Sequence, residues 1–366
     1  MKERSATFNA SAIVLGLASV AGFSGAVHAQ GGAPGGAPGG GAPTSSVQLY
    51  GSIDLGVGKL ESQAPGAPRA PITSVNGVHN SGLANFFGFR GTESLGGTLR
   101  AQFQLESFFR ADTGQSGRFS PPSPPIQDPF FSRSAWVGLA GDFGDVKLGN
   151  VANPAFQSMV FTSAMSGVST FSPAFRQQYN GSTRGYMALD TALPNALSYT
   201  TPRFGGVSGS VVVQAAEERG SSNVIANAVY RSGPVVLTAA FADVSHLPPP
   251  DPAGAVDEEV VVVGGSYDFK AVKLFAQYTN HKEGTTGATT KTPHLGLTVP
   301  VGTGELQAAW ARGKTETGNA SSTRTTIGLG YLHPLSRRTS LYGYAGSDKV
   351  SVGTATSYLV GIRHAF

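Results

Sequence analysis

The sequence predicts an all-β protein, a 16-stranded antiparallel transmembrane β-barrel with long loops on one rim and short turns on the other. Three observations predict it. Segment after segment alternates apolar with polar residues, the connections between segments alternate long with short, and no run approaches the roughly 18 apolar residues of a membrane helix. Composition agrees, with 50 glycines, 40% apolar residues and only 13% charged ones, a mixture suited to many short strands and turns. Cysteine is absent and the formal net charge is +4, with basic residues scattered rather than clustered, so nothing points to nucleic acid.

Residues 1–29 read as a secretory signal peptide. Lys2 and Arg4 supply positive charge, Ala10 to Ala26 a small-residue apolar stretch, and Val27-His28-Ala29 a cleavage site. Residues 30–44 form a Gly/Pro/Ala-rich flexible linker, because GGAPGGAPGGGAP offers no side chains to pack. The barrel domain is expected over 45–366. Its segments are 46–59, 83–91, 98–110, 131–140, 145–151, 195–202, 206–216, 223–231, 234–244, 258–269, 271–281, 292–300, 304–313, 323–333, 339–347 and 355–366.

The connections 93–97, 231–234, 269–270 and 300–304 are tight, whereas 60–82, 111–130, 245–257, 282–291 and 314–322 are long and polar. A barrel with short periplasmic turns and long extracellular loops produces that rhythm, and a Greek-key sandwich has no reason to. Within the first segment Val47, Leu49, Ile53, Leu55 and Val57 oppose Gln48, Tyr50, Ser52 and Asp54. Within the third, Leu99, Ala101, Phe103, Leu105 and Phe109 oppose Arg100, Gln102, Gln104 and Glu106. A half-buried sheet in a soluble core looks the same locally. So many strands with no helices to cover them favour lipid outside and water inside, and Tyr199, Tyr230, Phe241, Tyr267, Phe269, Tyr278, Tyr331 and Tyr358 tend towards strand ends as an interfacial girdle would. Closure follows, since each unpaired amide in hydrocarbon costs several kcal/mol. The final residues Tyr358, Val360, Ile362, His364 and Phe366 share one row, which places the terminal ring at the short-turn interface.

Several stretches in consistent order, SSVQLYGSIDLGVG, FFGFRGTESLGGTLRAQFQLES, SRSAWVGLAGDFGDVKLG, SYDFKAVKLFAQY, YLHPLSRRTSLYGYAG and YLVGIRHAF, resemble the Gram-negative general porins of the trimeric sixteen-strand type found in betaproteobacteria. The resemblance runs from Ser45 to Phe366. It implies an outer-membrane homotrimer set in lipid and lipopolysaccharide, a passive aqueous pore for small hydrophilic solutes, and a third loop folded inward as the constriction. It further implies that Ile362, His364 and Phe366 form the signal read by the barrel-assembly machinery, after escort by periplasmic chaperones. Segment 152–194 matches that third loop, and Phe156, Phe161, Met165, Phe171 and Phe175 are expected to pin it to the inner wall; the alternative is an outward-facing mobile loop. Leu148-Gly149-Asn150-Val151 stands where the family usually carries an arginine-bearing LGRQ.

Strand parity points Asp54, Arg90, Arg100, Glu106 and Lys273 into the lumen, and the inserted loop adds Arg176, Arg184 and Asp190. Opposed charges in a narrow wet passage create a transverse field that sorts solutes by sign. Two loop arginines against one aspartate suggest a mild anion preference. Enzyme signals are weak: the seven histidines show no HExxH, Val207-Ser208-Gly209-Ser210 lies in a strand without a nucleophile elbow, and Gly35 to Gly41 lacks a following Lys-Ser/Thr. No cofactor or metal is expected. The rival readings are a substrate-specific outer-membrane channel and a barrel adhesin or receptor with incidental conductance.

Overall fold

The structure, a computed structural model, describes residues 45–61, 72–76, 85–118, 128–165, 170–178, 187–216, 222–246 and 256–366. The expected signal peptide and linker lie outside the described residues, as does Arg184. The strands are β1 (Ser45–Leu60), β2 (Ile72–Asn76), β3 (Phe86–Gly96), β4 (Leu99–Phe108), β5 (Ser134–Gly141), β6 (Gly144–Ala152), β7 (Ala192–Thr200), β8 (Val207–Gln214), β9 (Asn223–Ser232), β10 (Val235–His246), β11 (Val256–Asp268), β12 (Lys273–Glu283), β13 (Ala288–Val301), β14 (Gly304–Thr317), β15 (Ala320–Pro334), β16 (Thr339–Val350) and β17 (Gly353–Ala365). Every neighbour pairs antiparallel with the next, and β1 pairs with β17 from Ser52↔Ala365 to Lys59↔Tyr358 to close the cylinder. Of the 17 strands, β2 and β3 run along successive halves of the same edge of β1, at Gly56–Leu60 and Ser45–Ser52, and so make one interrupted stave of a sixteen-stave barrel.

Sequence alternation decides which way each side chain faces. On β13, Leu295 and Leu297 are exposed on the outer surface while Thr292, His294 and Thr298 are buried on the inner one. On β17, Tyr358, Val360 and Ile362 face out, and Ala355, Ser357 and Leu359 face in. The large exposed hydrophobics therefore mark lipid-facing wall rather than defects.

Several strands reach further than expected. Between β12 and β13 only residues 284–287 remain outside strands, and between β14 and β15 only Gly318 and Asn319, where long loops were predicted. The reason is physical: above the hydrocarbon a strand needs no apolar face, so Thr/Lys/Glu runs such as Lys314–Thr317 and Ala320–Thr323 read as loop yet extend the ladder through Thr317↔Ala320. Gly318 supplies the positive φ of 56° that so tight a turn demands.

The C-terminus completes the closing seam. Phe366 exchanges backbone hydrogen bonds with Gly51, N to O at 3.1 Å and O from N at 3.2 Å. A Cβ on residue 51 would lie 2.5 Å from the Phe366 Cζ atom, so the absent side chain at Gly51 is what lets the terminal ring lie against the wall.

Candidate functional site

After β6 the chain turns inward instead of out. Asn153 caps helix α1 (Pro154–Phe161), its Oδ1 accepting from the amides of Ala155 at 2.9 Å and Phe156 at 3.3 Å, while proline occupies the first turn. The Asn153 Nδ2 donates to the Ala188 carbonyl at 3.1 Å, and its backbone amide donates to Thr191 O at 3.1 Å, which ties both ends of the inserted segment at one neck.

Helix α1 lies against β9, β10 and β11. Asn227 Nδ2 donates to Pro154 O at 3.0 Å, Thr238 Oγ1 donates to Ser158 Oγ at 2.9 Å, and Thr162 Oγ1 donates to Gln277 Oε1 at 2.9 Å. Farther along, helix α2 (Pro173–Gln178) reaches β13, β14 and β15, where Gln177 Nε2 donates to Thr326 Oγ1 at 2.9 Å. The segment thus spans the lumen from one wall to another. Phe156, Met165, Phe171 and Phe175 are all buried in the two apolar clusters that seat it, and Phe161 is half-buried.

The wall beneath this loop is cut away by glycines on strand after strand. A Cβ added at Gly264 would lie 2.8 Å from Thr162 Oγ1, at Gly296 2.8 Å from Ala164 Cβ, at Gly313 2.3 Å from Gln177 Oε1, at Gly328 2.4 Å from Phe171 O, and at Gly346 3.2 Å from Phe171 Cδ1. These residues, on β11, β13, β14, β15 and β16, form a track into which the loop sinks. Side chains there would hold it off the wall and narrow the passage further.

Charge around the constriction is largely paired. Arg176 donates to Asp348 Oδ2 at 3.0 Å and to Thr170 O at 2.9 Å, and Arg324 takes the same carboxylate from β15. Asp190 pairs with Arg118 at 2.6 Å, and Arg118 also grips Asp128 at 2.9 Å. Burial alone would raise the Asp190 carboxyl, but the Arg118 guanidinium and the bonds from Thr191 outweigh it and hold the carboxyl below its ordinary range. Burial alone would lower Arg118, and the two carboxylates overcome this and raise it. Glu106 accepts from Tyr50 OH and is ion-paired to Arg133, whose guanidinium covers the Phe86 ring at 3.9 Å. Glu258 pairs with His281 at 3.0 Å and accepts from the amide of Ala188 at 3.2 Å, anchoring the returning limb of the loop.

Of the residues expected in the lumen, Asp54 is buried on β1 and accepts from Tyr342 OH at 2.5 Å. Arg90 donates to Gln48 and lies over Tyr50, 4.6 Å from its ring, near the short-turn rim. Arg100 is exposed nearer that rim, and Lys273 starts β12 with its ammonium 4.9 Å from the Phe275 ring. Arg176 and Asp190 are both engaged by partners from outside the loop, and Arg184, the third charge in the sum on which the expected anion preference rested, lies outside the described residues. Arg231 on β9 was missed. It packs on Phe161 at 4.1 Å, has Arg203 within Coulombic range, and has no carboxylate partner among the described residues. Its inward parity with Asn227 was legible; its position against the loop was not. Among the described residues no group of three His, Cys, Asp or Glu side chains could hold a metal ion.

The comparisons agree with this geometry. The family model for Gram-negative porins matches residues 16–353. Outer membrane porin protein 32 of Delftia acidovorans is 30% identical over 362 residues, spanning 88% of this chain and 94% of that one. An outer membrane porin protein of Bordetella pertussis is 26% identical over 415 residues, spanning 96% of this chain and 99% of its own. The solved anion-selective porin from Comamonas acidovorans superposes with a TM-score of 0.69 at 28% identity, covering 88% of this chain and all of that one. A closed barrel with an apolar exterior, a polar interior and a loop seated across its lumen fits this kinship, and the chain belongs to the Gram-negative porin family, channels of the outer membrane.

Proposed function

We propose that this porin passes small hydrophilic solutes by passive diffusion with a mild preference for anions. The observation that carries the preference is Arg231: the constriction loop's own ring, Phe161, supports its guanidinium at 4.1 Å, and no carboxylate neutralises it among the described residues. The carboxylates nearest the loop, Asp348, Asp190, Glu106 and Glu258, each already face a cationic or imidazole partner. An uncompensated cation beside a low-dielectric wall raises the local concentration of anions. Arg90, Arg100 and Lys273 add to the same sign towards the periplasmic rim.

Two finer readings rest on the family resemblance, and a third on the sequence of residues 1–29 itself. The chain works as a homotrimer among outer-membrane lipid and lipopolysaccharide; Ile362, His364 and Phe366 present the assembly signal; and residues 1–29 are removed on export. The lipid-facing row of the first two readings is supported by the exposure of Ile362 and Phe366 on the outer wall. Planar-bilayer recording in a salt gradient tests the main proposal: a reversal potential on the anion side is expected, and one on the cation side overturns it. Closure in three equal steps is the expected signature of the trimer.

A further inference from the structure

Above the membrane the barrel wall is stepped. β14 and β15 climb to the pair Thr317↔Ala320, and at that height β14 still has β13 as its other neighbour through Thr289↔Glu316 and Thr290↔Thr315. The other side of β15 is bare there among the described residues. Its highest rung with β16 is Thr325↔Lys349, and β16 ends at Val350, where Val350↔Gly353 closes the hairpin to β17. Residues 320–323, all exposed, therefore form an open sheet edge, about 14 Å long at roughly 3.4 Å per residue.

Consecutive residues of an antiparallel strand turn their backbone groups to opposite neighbours. Thr317 and Ala320 flank a two-residue turn and so form a hydrogen-bonded pair, which directs the amides and carbonyls of Ala320 and Ser322 to β14 and those of Ser321 and Thr323 to the open side. No backbone partner meets them there among the described residues. Proteins commonly blunt such an edge with lysine, proline or a bulge. This edge carries Ala-Ser-Ser-Thr, small and uncharged, and its register with β14 is unbroken. At its foot stand Lys349, exposed on the outer face with no carboxylate within ion-pair distance among the described residues, and Val352 in the β16–β17 turn, 73% exposed.

We propose that this edge binds an extended peptide segment of an extracellular protein as an added β-strand, with an acidic residue at the segment's N-terminal end. The inference rests on the outer-membrane placement of the barrel and not on its ion selectivity. A partner antiparallel to β15 runs in the direction of β16 and occupies the lane that β16 leaves empty, so the sheet keeps its single pairing sense. Ser321 and Thr323 then each exchange an amide and a carbonyl bond with it. The partner's first residues lie over the β16–β17 turn, where a carboxylate meets Lys349 and an apolar neighbour meets Val352. A second copy of this chain fits less well, because two barrels standing in one membrane bring these edges together running the same way, a sense that no pair of this sheet adopts among the described residues.

The test uses the full-length protein in nanodiscs and a synthetic acetylated peptide amide, DTVTVT, carrying a C-terminal fluorophore. Saturable binding with a Kd below about 1 mM is expected, and the amides of Ser321 and Thr323 should gain protection from hydrogen exchange while that of Ser322 stays as it was. Thr323→Pro removes one edge donor without touching a rung to β14, since proline is tolerated at edge positions whose amide faces solvent, and should weaken binding at least about tenfold. Lys349→Glu should weaken DTVTVT and favour KTVTVT. Of two peptides N-methylated on alternate residues, all threonines or all valines, one should lose binding to wild type and the other keep it; this pair decides the matter if Thr323→Pro does not assemble. Absence of saturable binding overturns the proposal, as does equal binding by Thr323→Pro or by both methylated peptides. Association of barrels with one another that Thr323→Pro abolishes, with no peptide bound, overturns it in favour of a second copy.

Discussion

Replacing Gly328 by alanine tests the seating of the constriction loop. The new Cβ would stand 2.4 Å from the Phe171 carbonyl oxygen and 2.8 Å from Met165 Sδ, whereas ordinary contact begins at 3.4 Å. The nearer neighbour is backbone, so rotamer change cannot relieve it, and the loop must retreat by about 1 Å into the lumen. Met165 and Phe171 are 0% and 1% exposed, which leaves them no other space on the wall side. Overpacking of this kind costs about 1–3 kcal/mol. Two readouts follow: a lower urea midpoint for loss of the folded barrel, and a smaller single-channel conductance because the loop moves towards the pore axis. Gly343→Ala is the control, since its Cβ would meet only Val360 Cγ1 at 3.7 Å on the lipid side. A Gly328→Ala channel with wild-type conductance would refute the reasoning, whatever its stability, because it would mean that the loop is not held by that wall.

Replacing Arg231 by serine should move the reversal potential in a salt gradient towards cations, and an unchanged potential would remove Arg231 from the selectivity argument. The ion pair of Asp190 with Arg118 gives a pH dependence of definite sign. Its carboxyl is held below the ordinary 3.8, so the stabilisation is fully present above that value and is lost as pH falls through the lowered folded-state value. Conductance should therefore hold constant from neutral pH to about pH 4 and change only below, whereas Asp190→Asn should show the altered conductance already at neutral pH. Deleting Phe366 should reduce the yield of assembled barrel, measured as the fraction resisting unfolding in cold detergent; a full yield would free the terminal ring from its assigned part in assembly.

The barrel was legible in the sequence because a period of two is a local signal. Val47, Leu49 and Ile53 against Gln48, Ser52 and Asp54 fix the facing of β1 before any partner strand is known, and the same holds down to Ile362 on β17. Strand ends above the membrane were not legible, since the lipid that forces alternation is absent there and Thr289, Thr315 and Ser321 can pair without it. The inserted loop was readable from its aromatics. Its seat was not, because Gly264, Gly296, Gly313, Gly328 and Gly346 are far apart in the chain and become one track only when strands align in register.

Charge shows the limit most clearly. Parity tells which side of the wall a residue stands on; it says nothing about which counter-charge stands opposite. Arg176 and Asp348 are 172 residues apart and Arg118 and Asp190 are 72 apart, yet each pair meets within hydrogen-bonding distance. Counting arginines against aspartates along the loop therefore includes Arg176 and Asp190, which the fold has already paired, and a cancelled pair contributes to the field only as a short dipole that decays faster than a lone charge. On the reading proposed above, selectivity comes from residues such as Arg231, which packs on the loop's Phe161 and faces no carboxylate among the described residues.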